Sequence, residues 1–82
     1  MYHLYILECA DKTLYVGITT DLVRRVAEHN SSALGAKYTR GRRPVLLVFS
    51  RPFRDRSAAS VEESRVKKLS RAGKLALILG EG

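Results

Sequence analysis

The sequence predicts a small α+β domain in which helices pack on a three-stranded, mostly antiparallel sheet. Two apolar runs near the N-terminus are joined by a short polar turn, a pattern typical of a β-hairpin. Amphipathic helical patterns follow the hairpin, and a third apolar run lies between them. The predicted order of elements is therefore β-β-α-β-α-α.

The length of the chain limits it to one domain. Its 82 residues suit a single small core, and the prediction is one domain over residues 1–82. No apolar run approaches the roughly 18 residues that cross a bilayer, and the N-terminus lacks the features of a secretory signal. We therefore expect a soluble, cytoplasmic protein without a membrane partner. Cys9 is the only cysteine, which favours a small core residue over a disulfide or a zinc site.

The predicted hairpin carries one tyrosine in each strand. Residues 2–9 form the first strand, with both faces covered, residues 10–13 form the turn, and residues 14–19 form the return strand. Tyr5 and Tyr15 share a face of the sheet only if the numbers of paired residues add to an even number. The turn sequence does not fix that register.

The first helix begins at Asp21, whose side chain is predicted to be its N-cap, and ends near residues 30–32. Leu22 and Val26 lie one turn apart on its apolar face, and a second pair one turn apart is formed by Arg25 and His29. The following segment, as far as Pro44, has no sustained period and is predicted to be a basic loop.

The second half of the chain is predicted to add one strand and two helices. The continuous apolar run of residues 45–49 indicates a central or fully covered strand. A capping-box pattern begins the next helix at Ser60, although an earlier start near Ser57 is also compatible with the pattern. Ser70 is a candidate cap for a short C-terminal helix that ends at Gly80 and Gly82.

The charge of the chain predicts a polyanionic partner. Its net charge is +7, from 15 Lys and Arg against 8 Asp and Glu. Between residues 40 and 56 there is a single acid, and the guanidinium groups of the arginines there suit phosphate oxygens. This cluster contains Arg40, Arg42, Arg43, Arg51, Arg54 and Arg56. A solvated basic face is the ordinary explanation of such charge, but the clustering favours nucleic acid.

Several side chains suit phosphodiester hydrolysis, although each also has an ordinary structural role. A strand tyrosine usually packs in the core, but Tyr5 or Tyr15 can activate water if positive charge favours its phenolate. Arg25 can bind a phosphate through two hydrogen bonds, or it can be a surface residue paired with an acid. His29 can donate a hydrogen bond to a phosphate or relay a proton.

Two adjacent glutamates, Glu62 and Glu63, are the candidates for holding a divalent cation. One carboxylate suffices for a Mg²⁺ ion that keeps most of its waters and takes other ligands from phosphate. Both acids also suit the first turn of a helix, where they oppose the helix dipole. The helical pattern does not decide between them.

Five segments of the chain, in order and spacing, resemble the GIY-YIG endonuclease family, and in particular its small stand-alone bacterial and archaeal members. The similarity extends from Tyr2 to about Ile78. The matching segments are Leu4-Tyr5-Ile6-Leu7, Leu14-Tyr15-Val16-Gly17-Ile18-Thr19, Asp21-Leu22-Val23-Arg24-Arg25 with His29-Asn30, Gly35-Ala36-Lys37-Tyr38-Thr39-Arg40 leading to Arg43-Pro44-Val45, and Glu63 to Arg71.

The resemblance implies an endonuclease that depends on Mg²⁺ or Mn²⁺. It implies that Tyr5 is the general base, that Tyr15 supports it, that Arg25 and His29 bind the phosphate, and that Glu63 binds the metal. DNA is the favoured substrate. The basic loop supplies the expected nucleic-acid contacts, which are Lys37, Tyr38, Arg40, Arg42 and Arg43.

The chain departs from the family pattern in two respects. His3 and Leu4 stand where the first motif has glycine and isoleucine, and we expect no separate specificity domain after this one. The resemblance thus implies cleavage with little sequence preference, recognition of a nucleic-acid structure, or a protein partner that supplies specificity. Two other functions remain open from sequence, namely a non-catalytic nucleic-acid-binding module and a subunit that docks an acidic protein. The oligomeric state is not predicted.

Overall fold

The computed structural model describes residues 1–31 and 35–80. It confirms the α+β fold class and the predicted order of strands and main helices. The elements are β1 (Tyr2–Glu8), β2 (Leu14–Thr19), α1 (Leu22–Ser31), α2 (Lys37–Arg40), β3 (Leu46–Phe53), α3 (Arg56–Lys67) and α4 (Arg71–Ile78). The single turn α2 lies where the sequence predicted a loop. The helix ends suggested at Ser32 and Gly82 lie outside the described residues.

The sheet has the strand order β2-β1-β3, and both strand pairs are antiparallel. The prediction that the third strand is central or fully covered is wrong, because β3 lies at an edge and exposes 62% of Leu46 and 41% of Leu47. A continuous apolar run indicates burial but does not state which strand pairs on both sides. Pro52 within β3 is the sequence feature that suits an edge, where a missing N–H breaks no ladder.

The central strand β1 has both faces covered, as its sequence predicts. Leu4 and Ile6 pack on one side with Val66 of α3 and Leu77 of α4. The second core cluster, on the other face, contains Tyr5, Leu7, Cys9 and Val45, with Tyr15, Leu22 and Val26 packed against it. The candidate tyrosines therefore lie on the face that α1 covers, and Cys9 is a buried free thiol in the core.

Side-chain caps begin three of the helices. Asp21 and Ser70 each accept a hydrogen bond from the backbone N–H three residues on, as predicted for α1 and α4. Asp55 makes the same contact at α3, whose first residue is Arg56. This helix begins before the capping box at Ser60, in agreement with the earlier alternative. Among the described residues, no helix has the length and apolar character to cross a membrane.

Candidate active site

The register of the hairpin brings the two strand tyrosines together. Tyr5 pairs with Gly17 and Leu7 pairs with Tyr15, so the numbers of paired residues add to an even number. Tyr5 and Tyr15 consequently project from the same face, with ring centroids 6.4 Å apart. Tyr5 is 1% exposed, whereas Tyr15 is half-buried.

Gly17 provides the space in which the Tyr5 ring lies. A Cβ atom added at Gly17 would lie 2.5 Å from the Tyr5 hydroxyl oxygen and 2.7 Å from Cζ. Any side chain here would displace the phenol, so the glycine is required by close approach of the ring to the backbone. The segment of residues 14–19 thus contributes both Tyr15 and, at Gly17, the space that the ring of Tyr5 occupies.

His29 projects from α1 and is fully buried beside Tyr5. Its Nε2 atom lies 3.0 Å from the Tyr5 hydroxyl oxygen, and its Nδ1 atom lies 2.9 Å from Oγ1 of Thr39. Burial lowers the pKa of His29 to about 4, and the positive charge of Arg25 lowers it further than Glu28 raises it. The ring is therefore neutral near pH 7. This burial favours a proton relay with Tyr5 over direct contact with a phosphate.

Arg25 projects from the turn of α1 that precedes His29, and its guanidinium lies near the Tyr5 hydroxyl. Burial raises the pKa of Tyr5, and the guanidinium acts in the opposite direction. The Nη1 atom of Arg25 also lies 2.9 Å from Oε1 of Glu28, which anchors the side chain. Because 26% of the Arg25 side chain is exposed, its guanidinium can contact both Tyr5 and a ligand.

The structure distinguishes the two glutamates of α3. Glu62 is held by Arg65, at 2.6 Å, and by a second arginine on β3. Glu63 pairs with Lys67 at 3.2 Å, and its negative charge contributes to the raised pKa of Tyr5. This contribution is weaker than those of Tyr15 and Arg25, and α3 packs on the face of the sheet opposite to Tyr5. The assignment of Glu63 to the site stays a prediction.

Glu63 offers a single carboxylate to a divalent cation. No group of three or more His, Cys, Asp or Glu side chains in residues 1–31 and 35–80 is arranged to hold a metal. A hard cation that keeps its waters and shares a substrate phosphate needs one carboxylate, and Glu63 supplies one. Lys67, which pairs with Glu63, has a side chain that is 53% exposed.

The residues predicted to bind nucleic acid divide into two groups. Tyr38 stacks on Tyr15 with centroids 5.8 Å apart, Arg42 packs over Tyr38, and Arg43 Nε donates to the backbone oxygen of His29 at 2.6 Å. These three side chains contact other residues around the site, although Tyr38 remains 39% exposed. The other two, Lys37 and Arg40, are exposed on α2.

Sequence reasoning missed two residues that contact the site. Thr39 is a fully buried polar residue bonded to His29, and Asp11 in the hairpin turn binds Arg42 through Oδ2 at 3.0 Å. Both contacts join distant parts of the chain, so no local pattern reveals them. The one available signal is that Thr39 lies inside a segment that matches the family.

Comparisons with known proteins show the family of the chain. The family model for the GIY-YIG catalytic domain matches residues 1–76. A UPF0213 protein of Desulfotalea psychrophila is 56% identical over 77 residues, covering 94% of this chain and 70% of that protein. A UPF0213 protein of Halobacterium salinarum is also 56% identical over 77 residues, covering 94% of this chain and 99% of that protein.

Solved structures support the same fold. The solution structure of a UPF0213 protein from Bacillus halodurans is 46% identical, has a TM-score of 0.63, and covers 100% of this chain and 87% of that protein. A solution structure from E. faecalis is 45% identical with a TM-score of 0.61, covering 89% of this chain and 77% of that one. The three-stranded antiparallel sheet with its flanking helices is therefore common to these proteins.

Proposed function

Since this chain belongs to the GIY-YIG catalytic domain family, we propose that it is a metal-dependent endonuclease that hydrolyses phosphodiester bonds of nucleic acid, with DNA favoured over RNA. Family membership itself points to nuclease activity. The observation that best supports the finer proposal is the contact of Tyr5 with both His29 and Arg25, within electrostatic range of Glu63.

Tyr5 activates water in this proposal, and His29 receives its proton. As the water oxygen attacks phosphorus, the water gives a proton to the Tyr5 oxygen while the phenol gives its own proton to Nε2 of His29, 3.0 Å away. The bond from phosphorus to the leaving sugar oxygen breaks, and that oxygen leaves with the bonding electrons and is protonated by solvent. The imidazolium of His29, whose pKa is about 4, then releases its proton to solvent.

Arg25 has two tasks in the proposed reaction. Its positive charge favours the ionised form of Tyr5, against the burial that raises the pKa of the phenol. Its guanidinium is also placed to bind the phosphate, where negative charge increases in the transition state. A single cation beside both groups links activation of the water to stabilisation of the phosphate.

Glu63 would hold the divalent cation. When bound there, Mg²⁺ or Mn²⁺ supplies positive charge that neutralises the scissile phosphate and the leaving oxygen. Glu63 is the candidate ligand because its negative charge acts on Tyr5 and contributes to the raised pKa of the phenol. Glu62, in contrast, forms ion pairs with two arginines. Without the cation, the carboxylate disfavours the phenolate, so Tyr5 is best activated when the site is loaded.

The two tyrosines have different surroundings, and these favour Tyr5 as the base. Its hydroxyl contacts a proton acceptor, His29, and a cation, Arg25. The Tyr15 ring packs between Tyr5 and Tyr38, with centroid distances of 6.4 and 5.8 Å. Tyr15 therefore orients Tyr5 and the phosphate in this proposal, and Tyr15→Phe should lose less activity than Tyr5→Phe.

A nicking assay on plasmid, branched and single-stranded DNA tests the proposal. We expect cleavage with Mg²⁺ or Mn²⁺, none with chelator, and losses of about 100-fold or more in Tyr5→Phe, Arg25→Ala and Glu63→Ala. Tyr2→Phe and Arg24→Ala are matched controls that should stay active. Tyr2 lies on the face of β1 opposite to Tyr5, and Arg24 is an exposed neighbour of Arg25. Circular dichroism checks folding, and activity that survives all three site changes would remove the assignment.

The second candidate function is a non-catalytic nucleic-acid-binding module on the same scaffold. The exposed Lys37 and Arg40 and the net charge of +7 support binding without turnover equally well. Salt-dependent binding that chelator does not change, with no cleavage at any metal concentration, would favour this function. A protein partner that supplies specificity would be compatible with either.

A further inference from the structure

The short helix α2 presents two neighbouring side chains to two different groups of the site. Tyr38 stacks on Tyr15, with the ring planes inclined by 30°. Thr39, the next residue, is fully buried and contacts Nδ1 of His29, whose other nitrogen contacts Tyr5. One turn of helix thus reaches both strand tyrosines, directly in one case and through His29 in the other.

The hydrogen bonds of Thr39 determine which nitrogen of His29 carries the proton. Its hydroxyl has one proton, and Oγ1 lies 2.9 Å from the carbonyl oxygen of Ala36, which can only accept. Oγ1 therefore accepts from Nδ1–H of His29, 2.9 Å away. The backbone N–H of Ala36 lies 3.4 Å from Nδ1 and is the longer, weaker contact that opposes this arrangement.

The tautomer with a proton on Nδ1 leaves Nε2 as an acceptor. Nε2 lies 3.0 Å from the Tyr5 hydroxyl, so the phenol donates its proton toward the imidazole. In the opposite tautomer, Nε2–H would donate to the phenol oxygen, and the ring could not receive the proton of Tyr5. The hydroxyl of Thr39 thus sets the direction of the hydrogen bond between His29 and Tyr5.

A separate chain of contacts fixes the ring of Tyr38. The guanidinium of Arg42 lies 4.1 Å from its ring centroid, and Nη1 of Arg42 donates to the Tyr38 backbone oxygen at 2.8 Å. Asp11 binds Nε of the same arginine at 3.0 Å. Asp11 in turn accepts from the backbone and side chain of Thr13, which secures this acid within the hairpin turn.

We propose that α2 is the positioning element of the site, in which Thr39 selects the proton-accepting tautomer of His29 and Tyr38 holds the ring of Tyr15. The catalytic meaning of this arrangement rests on the proposed nuclease function. The tautomer and the ring packing are properties of the folded protein, and they can be measured without any turnover.

Nitrogen NMR of the His29 imidazole tests the tautomer directly. In the wild-type protein and in Thr39→Ser, we expect a protonated Nδ1 and an unprotonated Nε2. Thr39→Val removes the acceptor and should shift the population toward the Nε2–H form, in which Nδ1 accepts from the Ala36 N–H. A wild-type ring protonated at Nε2 would overturn the proposal, and that measurement is decisive even if the valine variant does not fold.

Kinetics test the positioning of both tyrosines. Thr39→Val and Tyr38→Leu should lower kcat by about tenfold or more while KM changes less than about twofold, because neither residue contacts the reacting atoms. Thr39→Ser and Tyr38→Phe, which keep the hydroxyl and the stacked ring respectively, should restore kcat. Unchanged kcat in the first pair, or an effect confined to KM, would overturn the proposal.

The two hypotheses fail in different ways. If the wild-type protein does not cleave DNA but His29 carries its proton on Nδ1, the nuclease function is contradicted and α2 remains the element that orders the tyrosines. If the protein cleaves DNA but His29 carries its proton on Nε2, the role of Thr39 is contradicted and the nuclease function remains.

Discussion

At the scale of single residues, the site depends on how closely the Tyr5 ring approaches the strand beside it. The ring lies against the backbone of Gly17, and its hydroxyl reaches both His29 and Arg25 from that position. Because neighbouring atoms in a protein interior are close-packed, a displacement of the ring by a methyl group would break the hydrogen bond to His29 and move the hydroxyl relative to Arg25. The glycine therefore fixes the position of the phenol although it contributes no side chain.

We predict that Gly17→Ala destabilises the protein and lowers its activity. The added Cβ would lie 2.5 Å from the Tyr5 hydroxyl oxygen, and overpacking of this kind costs about 1–3 kcal/mol. Gly41→Ala is the control, since no atom lies within 4 Å of a Cβ there. Chemical denaturation measures both variants, and equal stabilities would show that the ring is not confined as described.

The buried imidazole predicts a dependence of stability on pH. The pKa of His29 falls from its usual 6.5 to about 4 on folding, chiefly because of burial. Below pH 6.5 the unfolded chain therefore binds a proton that the folded chain does not bind until about pH 4. The stabilising contribution is complete above pH 6.5, and the free energy of unfolding should fall progressively as the pH is lowered through this window.

Thermal or urea unfolding between pH 7 and 4.5 measures this effect in the wild-type protein and in His29→Gln. We expect a shallower pH dependence in the variant, because glutamine does not titrate. The upper part of the window is diagnostic, since Glu28, whose pKa is also lowered in the fold, titrates only below its usual 4.5. Parallel curves for the two proteins would contradict the burial of a neutral imidazole.

Residue types and their spacing predict several of the candidate site residues, but they do not predict which of these residues are buried. Arg25 and His29 were paired because they lie one turn apart on α1, and the structure brings both to the Tyr5 hydroxyl. The sequence alone did not separate Glu62 from Glu63, because their difference lies in partners on other elements. Thr39 had no local pattern, since its role depends on a histidine ten residues away.

At the scale of secondary structure, the elements with strong local signals were predicted and those fixed by packing were not. The hairpin and α1 follow from alternation, turn chemistry and the Asp21 cap. The edge position of β3 depends on which strand pairs twice, and α2 is a single turn with no side-chain cap. A four-residue helix is too short to generate a period.

The start of α3 gives a prediction at this scale. Asp55 accepts from the backbone N–H of Ala58 at 2.9 Å, so Asp55→Ala should cost about 1 kcal/mol of stability. Ser60 begins the capping-box pattern but lies inside the helix, and Ser60→Ala should have a much smaller effect. Denaturation midpoints compare the two, and a larger loss in the serine variant would move the start of the helix to Ser60.

At the scale of the whole molecule, we expect the net charge to determine how strongly the protein attracts a nucleic acid. A net charge of +7 on 82 residues attracts a polyanion and makes binding depend on salt, because bound phosphates release counterions. This property was readable from composition alone. The distribution of the charge was not, because Arg42 and Arg43 hydrogen-bond other residues of the protein while Lys37 is exposed on α2.

We predict that DNA affinity falls linearly with salt on logarithmic axes, and that Lys37→Ala reduces the slope by about 1. Lys68→Ala, at the C-cap of α3, removes the same charge and is the matched control, for which we expect a smaller change in the slope. Binding titrations over a range of salt concentrations provide the slopes. Equal slopes in the two variants would show that net charge, rather than the surface of α2, determines binding.

The central claim is that Glu63 joins Tyr5 and Arg25 at one phosphodiester. The most direct measurement is the metal-dependent plasmid-nicking rate of Glu63→Gln against Glu62→Gln, which change adjacent carboxylates on the same helix. We expect a loss of about 100-fold or more in Glu63→Gln and a rate near that of the wild-type protein in Glu62→Gln. Equal rates in the two variants, or a wild-type protein that does not nick DNA with any divalent metal, would contradict this claim.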